Sequence, residues 1–569
     1  MTKSISRRRA LQTGVIATAS FATASAFTSS VSADTPSHTA PDDHVVFQHS
    51  VASGDPYAHS VILWTRVTSH PGDYAGRNKG VDTHLRWEVA QDDSFTSIIS
   101  SGEVLVTSDT DMTAKVEATG LQPYTGYSYR FIVQSGPYKG QISPIGHART
   151  APASGQHVKE LRFALFSCAN WEAGYFSAYQ DMADRGDIDY ALHVGDYIYE
   201  YKRGEYTGKS GAVRDHLPAH EIVTLQDYRE RYAQYRTDPN LQAAHEACPW
   251  IVTWDDHEFA NDVYSGGAEG HDPQTEGPWI TRRNAAMRAY LEWQPIRATQ
   301  VSAGGHIYRN LNFGPLAELN MLDLRTYRNK QVEFSAIRKV DDESRTMLGS
   351  EQFSWLARKL TSSHATWNLI GNSVMITPVL IPPLDPETSL AVTQLLGLPE
   401  EGMPYNVDQW DGYAAERRRL LHMLQDKGVD NAIFLTGDIH SSWANDVPVE
   451  PGKYPSKRPA AVEIVCTSIT SSNIDDIVKL PEDNPLSLTA EGAFTGLNRY
   501  IKYLDFDSHG YTVVQVTPEY VHADYLLLTP DGKLQPNQPL TRKMSARTYR
   551  GKGISQHGDA INPHFHSAR

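Results

Sequence analysis

The stretch YALHVGDYIYEY, residues 190–201, decides how the chain is read. An apolar run from Tyr190 to Val194 stops at Gly195; a carboxylate, Asp196, follows at once, and a phenol, Tyr199, stands three residues further on. A short continuous apolar run bounded by glycine is the pattern of a strand covered on both faces. Three other runs end the same way. LRFALF gives way to Cys168 and Asn170, and PWIVTW to Asp255, Asp256, His257, Glu258 and Asn261. NAIFLT gives way to Asp438 and His440. Each ending alone is weak, because a lone cysteine is most often a small buried hydrophobe and Gly-Asp is most often a turn. Four such endings, all of metal-ligand type, predict one shared metal site, since ligands in α/β folds gather beyond the carboxyl ends of strands.

Outward from these runs the chain alternates. Helix-like segments such as LQDYRERYAQYRTDPNLQAAHEAC and YAAERRRLLHMLQDKG separate strand-like ones, and this β-α-β rhythm predicts a large α/β domain over residues 160–569. Before it, residues 40–152 carry short alternating runs between turn residues, the pattern of a small antiparallel β-sandwich. There LQPYTGYSYRF has the form of a tyrosine corner, as in fibronectin type III modules, and predicts that Tyr127 or Tyr129 bonds back to the backbone.

Residues 1–33 differ from the rest: they are basic at first, then weakly apolar, and end in Val31-Ser32-Ala33. They read as a signal peptide, too short in apolar length for a membrane anchor. Arg7-Arg8 followed by Leu11 and Gln12 is similar to a twin-arginine signal, which implies the twin-arginine export machinery as a partner and a periplasmic, cell-wall or secreted destination. Without Lys3, Arg7, Arg8 and Arg9, 48 of the 52 Lys and Arg remain against 67 Asp and Glu, a net charge of −19. Such a surface repels nucleic acid and anionic membranes, so anionic substrates would need concentrated positive charge at a site. Only three cysteines, Cys168, Cys248 and Cys466, are present, so one disulfide at most can form and one thiol is left for other work.

Carboxylate and amide oxygens suit Ca²⁺ or Mg²⁺. A thiolate, a phenolate and an imidazole around one ion instead favour a hard trivalent ion such as Fe³⁺. Asp196 has two oxygens and could bridge two ions. Closely spaced cations bind phosphate oxygens and lower the pKa of a bound water, and His257, with a reference pKa of about 6.5, is suited to protonating the leaving alkoxide. No Ser or Cys with a paired His marks a covalent nucleophile.

The ordered set FSCANWEAGYFSAY, HVGDYIYEY, VTWDDHEFAND, LDLRTYR, DQWDGYAAERRRLL and TGDIHSSW, after a β-sandwich and a twin-arginine signal, resembles the D-type (PhoD-like) alkaline phosphatases. That family lies in the metallophosphoesterase superfamily and also includes phosphodiesterases and enzymes described as phospholipase D. The resemblance implies a double-sheet sandwich flanked by helices and an Fe³⁺–Ca²⁺ centre that hydrolyses phosphate monoesters or diesters by attack of a metal-bound hydroxide or oxo group. It implies that Cys168, Asp196, Tyr199 and His440 hold Fe³⁺. Asp196, Asp256 and Asp438 would hold Ca²⁺ with Asn261 nearby, and Asn170, His257 and Arg325 would face the phosphate, although Arg325 in LDLRTYR also reads as a structural salt-bridge partner. Ser167-Cys168 stands where the superfamily usually has Asp-x-His, which argues against a dizinc or dimanganese centre. Candidate substrates are small phosphate esters, teichoic acid and lipid headgroups. Two other readings stay open at this point, an iron-tyrosinate redox enzyme and a non-enzymatic wall-binding protein. The loops Lys202–His220 and Pro378–Trp410 control access, and the second, rich in Pro and Leu, reads as packed cover in preference to a lid or a lipid-facing rim. The C-terminal ISQHGDAINPHFHSAR reads as either a cap over the site or a loose tail.

Overall fold

The computed structural model describes residues 46–70, 75–77, 79–298 and 306–561, so the signal segment and the last eight residues of the tail lie outside the described residues. Two sheets stack face to face between layers of helix, as expected for a metallophosphoesterase-like α/β sandwich. In the larger sheet Leu161–Phe166, Tyr190–His193 and Trp250–Val252 run parallel, in registers such as Ala164↔Ala191 and Ala191↔Trp250. In the smaller sheet Ala317–Met321, Trp367–Asn372, Ala432–Thr436 and Ala461–Val465 are likewise parallel.

The alternation of side chains along each strand builds the layers. Phe163, Leu165, Tyr190, Leu192 and Ile251 face the second sheet, where they meet Leu319, Leu369, Leu435 and Ile464. Their neighbours Ala164, Phe166, Ala191 and Trp250 face a helical layer that includes Tyr179, Tyr232, Leu241 and Tyr290. On the far side, Ile370 and Phe434 pack against Leu356 of the helix Gly349–Ser362 and Leu420 of the helix Ala414–Asp426. Both faces of the parallel strands are therefore buried, which is why their sequences are apolar without a polar alternate.

Strands Thr83–Ala90, Ile98–Val106, Gly126–Val133 and Gly146–Arg149 form a separate four-stranded sheet in the N-terminal region. It packs against Val51–Tyr57, Ser60–Arg66 and Thr113–Thr119 over a core of Leu63, Val89, Tyr129 and Phe131. These last three strands also extend the larger sheet, because Gly54 pairs with Trp250. The sandwich and the α/β domain thus share one sheet. In the tyrosine corner the Gln122 amide donates to the Tyr127 hydroxyl at 2.8 Å, so Tyr127 rather than Tyr129 fills that role. All three cysteines are buried and free.

The Pro- and Leu-rich segment is buried at its ends, at Val379, Leu380, Asp408 and Trp410, but its middle is not packed cover. A two-stranded ladder, Leu380–Ile381 with Met403–Pro404, closes the base of an excursion that carries the helix Pro386–Leu396. Of that helix only Thr393 is buried, while Leu395 is 84% exposed and Leu396 63%. Its apolar residues lack the one-sided spacing that would seat them on the core, so composition alone misled the reading. The tail residues Ser555–His557 add a strand at the edge of the larger sheet, beside Leu540–Tyr549. No helix among the described residues is long and apolar enough to cross a membrane.

Candidate active site

The parallel strands deliver their loops to one end, and the sharp reversals there use unusual backbone. Cys168, Asp196, Asp438 and His440 all have positive φ, between 55° and 71°. Non-glycine residues seldom adopt this region, and they cluster where a site holds them against local preference. Gly195, at φ +116°, cannot be replaced: a Cβ there would lie 2.4 Å from the Cβ of Asp255.

Cys168, Asp196 and His440 offer ligand atoms within 4.8 Å of one another; so do Asp196, Asp256 and His257, and so do Asp255, Asp256 and Asp438. Asp196 belongs to the first two groups and Asp256 to the last two, so the three form one continuous cluster. Tyr199 completes the first group. Its hydroxyl lies 3.2 Å from Asp196 Oδ2 and 3.4 Å from His440 Nε2, and it accepts a hydrogen bond from Ser471 at 2.6 Å. The Cys168 thiol donates to Asp196 Oδ2 at 3.5 Å, so the sulfur and the phenol point at the same carboxylate oxygen. His440 is oriented through Nδ1, 2.8 Å from the Ser472 carbonyl, which leaves Nε2 facing the cluster.

So many acids in a dry pocket cannot all ionise unaided. Burial pushes the Asp196 carboxyl well above its ordinary range, with Asp256 and Asp255 adding to it against the pull of His257. Burial, helped by Asp196, likewise raises the Cys168 thiol and the Tyr199 phenol. A multivalent cation would reverse these shifts, because thiolate, phenolate and carboxylate all bind as anions. The donor set therefore fits a metal centre.

Glu258 has a different task. Fully buried, it accepts from the amides of Asp196, Tyr197 and Asp255 at 3.0, 2.6 and 2.7 Å, and so ties two ligand loops together. Arg325, which the sequence left between a phosphate contact and a structural salt bridge, lies fully buried against carboxylates. Its Nε and Nη2 grip Asp255, Nη1 reaches Asp408 at 2.9 Å, and Nη2 also reaches Asp438 at 3.1 Å. Even so, burial holds the Asp255 carboxyl up at about 7. Asn170, also expected to face phosphate, is buried with its amide on the Tyr206 carbonyl (2.8 Å) and the Glu172 amide (2.9 Å). The Asn261 side chain accepts from Tyr201 at 3.2 Å, at the edge of the cluster.

His257 is buried beside the cluster. Its Nδ1 lies 2.7 Å from Glu200, and its ring centroid lies 4.3 Å from that of Tyr199, with the planes tilted by 32°. With Nδ1 held by Glu200, Nε2 is left for a substrate. Glu200, Asp408, Ser471 and Tyr206 were not expected from sequence. Glu200 and Asp408 carried a signal, since Glu200 sits inside the stretch 190–201 beside Tyr199 and Asp408 opens DQWDGYAAERRRLL.

This geometry has counterparts. The model of the PhoD-like phosphatases matches residues 163–525, and that of the PhoD-like phosphatase N-terminal domain matches residues 30–152. The chain belongs to the PhoD-like phosphatase family. It is thereby a metal-dependent hydrolase of phosphoric esters. Alkaline phosphatase D of Bacillus subtilis (strain 168) is 37% identical over 539 residues, covering 92% of this chain and 86% of that protein. A solved structure of PhoD superposes with a TM-score of 0.78 at 34% identity, over 92% of this chain and 94% of that one. Purple acid phosphatase PPD1 from yellow lupin seeds shares the fold at 12% identity, with a TM-score of 0.50 over 88% of this chain and 74% of that one.

Proposed function

We propose that this PhoD-like phosphatase hydrolyses phosphate monoesters, and diesters at the same site, at an Fe³⁺–Ca²⁺ centre outside the cytoplasm. The convergence of Cys168, Tyr199 and His440 on Asp196 supports this reading above all. In the proposal these four hold Fe³⁺, and Asp196, Asp256 and Asp438 hold Ca²⁺ with Asn261 beside them. Bound there, the cations supply the positive charge that an acidic protein otherwise lacks and lower the pKa of a water at the phosphorus. The chain's residues do the rest. Asp196 and Asp256 fix the phosphate's position through the two groups they join. His257, its Nδ1 on Glu200, presents Nε2 to the leaving oxygen and supplies its proton. Arg325 holds Asp255, Asp408 and Asp438 in place, and Asn170 holds the Tyr206 carbonyl, so both act on the phosphate through neighbours.

Phosphate release from an aryl monoester, stopped by a calcium chelator and restored by Ca²⁺, tests the proposal; no release with any cation would sink it. One observation favours a diester of an apolar alcohol as the substrate: the exposed leucines of Pro386–Leu396. Just past the base of that excursion, Gln409 donates to Asp438 at 3.3 Å. Rates on a monoester and a lipid diester separate the two. Export by the twin-arginine route and division into residues 1–33, 40–152 and 160–569 are part of the same proposal. Replacing Arg7-Arg8 by Lys-Lys should retain the protein inside the cell.

A further inference from the structure

Tyr206 enters the site from the loop between Lys202 and His220, and the loop is pinned on both sides of it. On one side the Gly204 amide donates to Glu172, at 2.8 Å to the nearer oxygen. On the other, Ser472 donates to the Thr207 carbonyl at 3.1 Å and the Lys209 amide to Asp476 at 3.0 Å, while Lys209 Nζ lies 2.8 Å from Asp475. The Tyr206 carbonyl itself accepts from Asn170. A loop ring held this firmly has a fixed place.

That place is beside the His257 ring, with the hydroxyl near His440. The Tyr206 ring lies nearly parallel to that of His257, with centroids 6.3 Å apart and planes 20° apart. Its hydroxyl is 3.5 Å from His440 Nδ1, and its centroid is 5.6 Å from Tyr199 and 5.2 Å from Tyr201. Tyr199 is fully buried, whereas Tyr206 is half-buried. His257 delivers a proton to the leaving oxygen, so the alcohol portion of the ester must lie against that ring and within reach of Tyr206.

We propose that Tyr206 is a specificity-determining wall for the alcohol portion of the ester, favouring flat aromatic groups over small alkyl ones. This rests on the phosphatase reading of the site. Aromatic pairs contribute about 0.5–1.5 kcal/mol beyond the area they bury, or roughly 2- to 12-fold in affinity. The test is kcat and KM of the wild type, Tyr206→Phe and Tyr206→Ala on phenyl phosphate and on glycerol phosphate. In Tyr206→Ala the ratio of kcat/KM for phenyl over glycerol phosphate should fall by about 2- to 12-fold, through KM for the aryl ester. Tyr206→Phe keeps the ring and should keep the ratio. Equal losses on both substrates in Tyr206→Ala, or an unchanged ratio, would overturn the proposal. A wild type inactive on both substrates would instead overturn the phosphatase reading beneath it.

Discussion

The two halves of the ligand cluster are held in place by different means. The half built from Cys168, Tyr199 and His440 on Asp196 is stitched by its own ligands and Ser471, and it contains no permanent cation. The half built from Asp255, Asp256 and Asp438 is gripped by Arg325, whose charge stands among the carboxylates. In the first half, burial raises the Cys168 thiol and the Tyr199 phenol, so a bound cation would favour their anionic forms. The second is partly neutralised whether or not a cation is bound. The soft-donor side should therefore keep its ion tightly, and the all-oxygen side should exchange its own.

Asp196 joins the two halves, so its loss should break both. Asp196→Ala is expected to lose both metals and about 10⁴-fold or more in kcat/KM, on the order of 5.5 kcal/mol. Metal content close to wild type would show that the halves are independent. Arg325→Met attacks only the all-oxygen half. Stripping a buried cation from Asp255 and Asp408 should cost about 3–5 kcal/mol of stability by denaturant unfolding, and added Ca²⁺ should recover part of it. A calcium-independent loss would mean that Arg325 acts apart from the cation site. Treatment with a calcium-selective chelator sharpens the contrast. Activity should fall and return with Ca²⁺ while iron stays bound, and loss of iron first would reverse the assignment.

The smallest effect lies away from the cluster. His245 is stacked 3.9 Å from Trp250, and burial, with Arg236 next, holds its pKa well below the ordinary value. A depressed histidine keeps its full stabilising effect above pH 6.5, where the unfolded chain is also neutral. That effect fades as pH falls, because the unfolded chain then binds the extra proton. His245→Gln should remove up to about 1.4 kcal/mol per pH unit from the slope of stability between pH 6.5 and 5. An unchanged slope would mean that His245 charges in the folded state.

The strands and the polar residues at their ends were legible in sequence because a run buried on both faces shows itself, and so does the polar residue that ends it. LRFALF before Cys168 and YALHV before Asp196 are such runs. Tyr127 was narrowed to one of two residues by the spacing of its corner. Residues that act from loops were not legible. Asp408 meets Arg325 across 83 positions and Ser471 meets Tyr199 across 272, and no local pattern announces contacts at such separation. Arg325 and Asn170 were placed at the phosphate by the family resemblance, with a salt bridge left open for Arg325, and in the fold both are held by protein groups. The segment Pro378–Trp410 was misjudged because leucine content does not say which way a helix faces.

Metal analysis of the purified protein, with its visible spectrum, tests the central claim most directly. Iron and calcium together, with a thiolate or phenolate charge-transfer band that Cys168→Ser and Tyr199→Phe each alter, is the predicted result. A colourless protein that carries zinc or manganese and is fully active would contradict it.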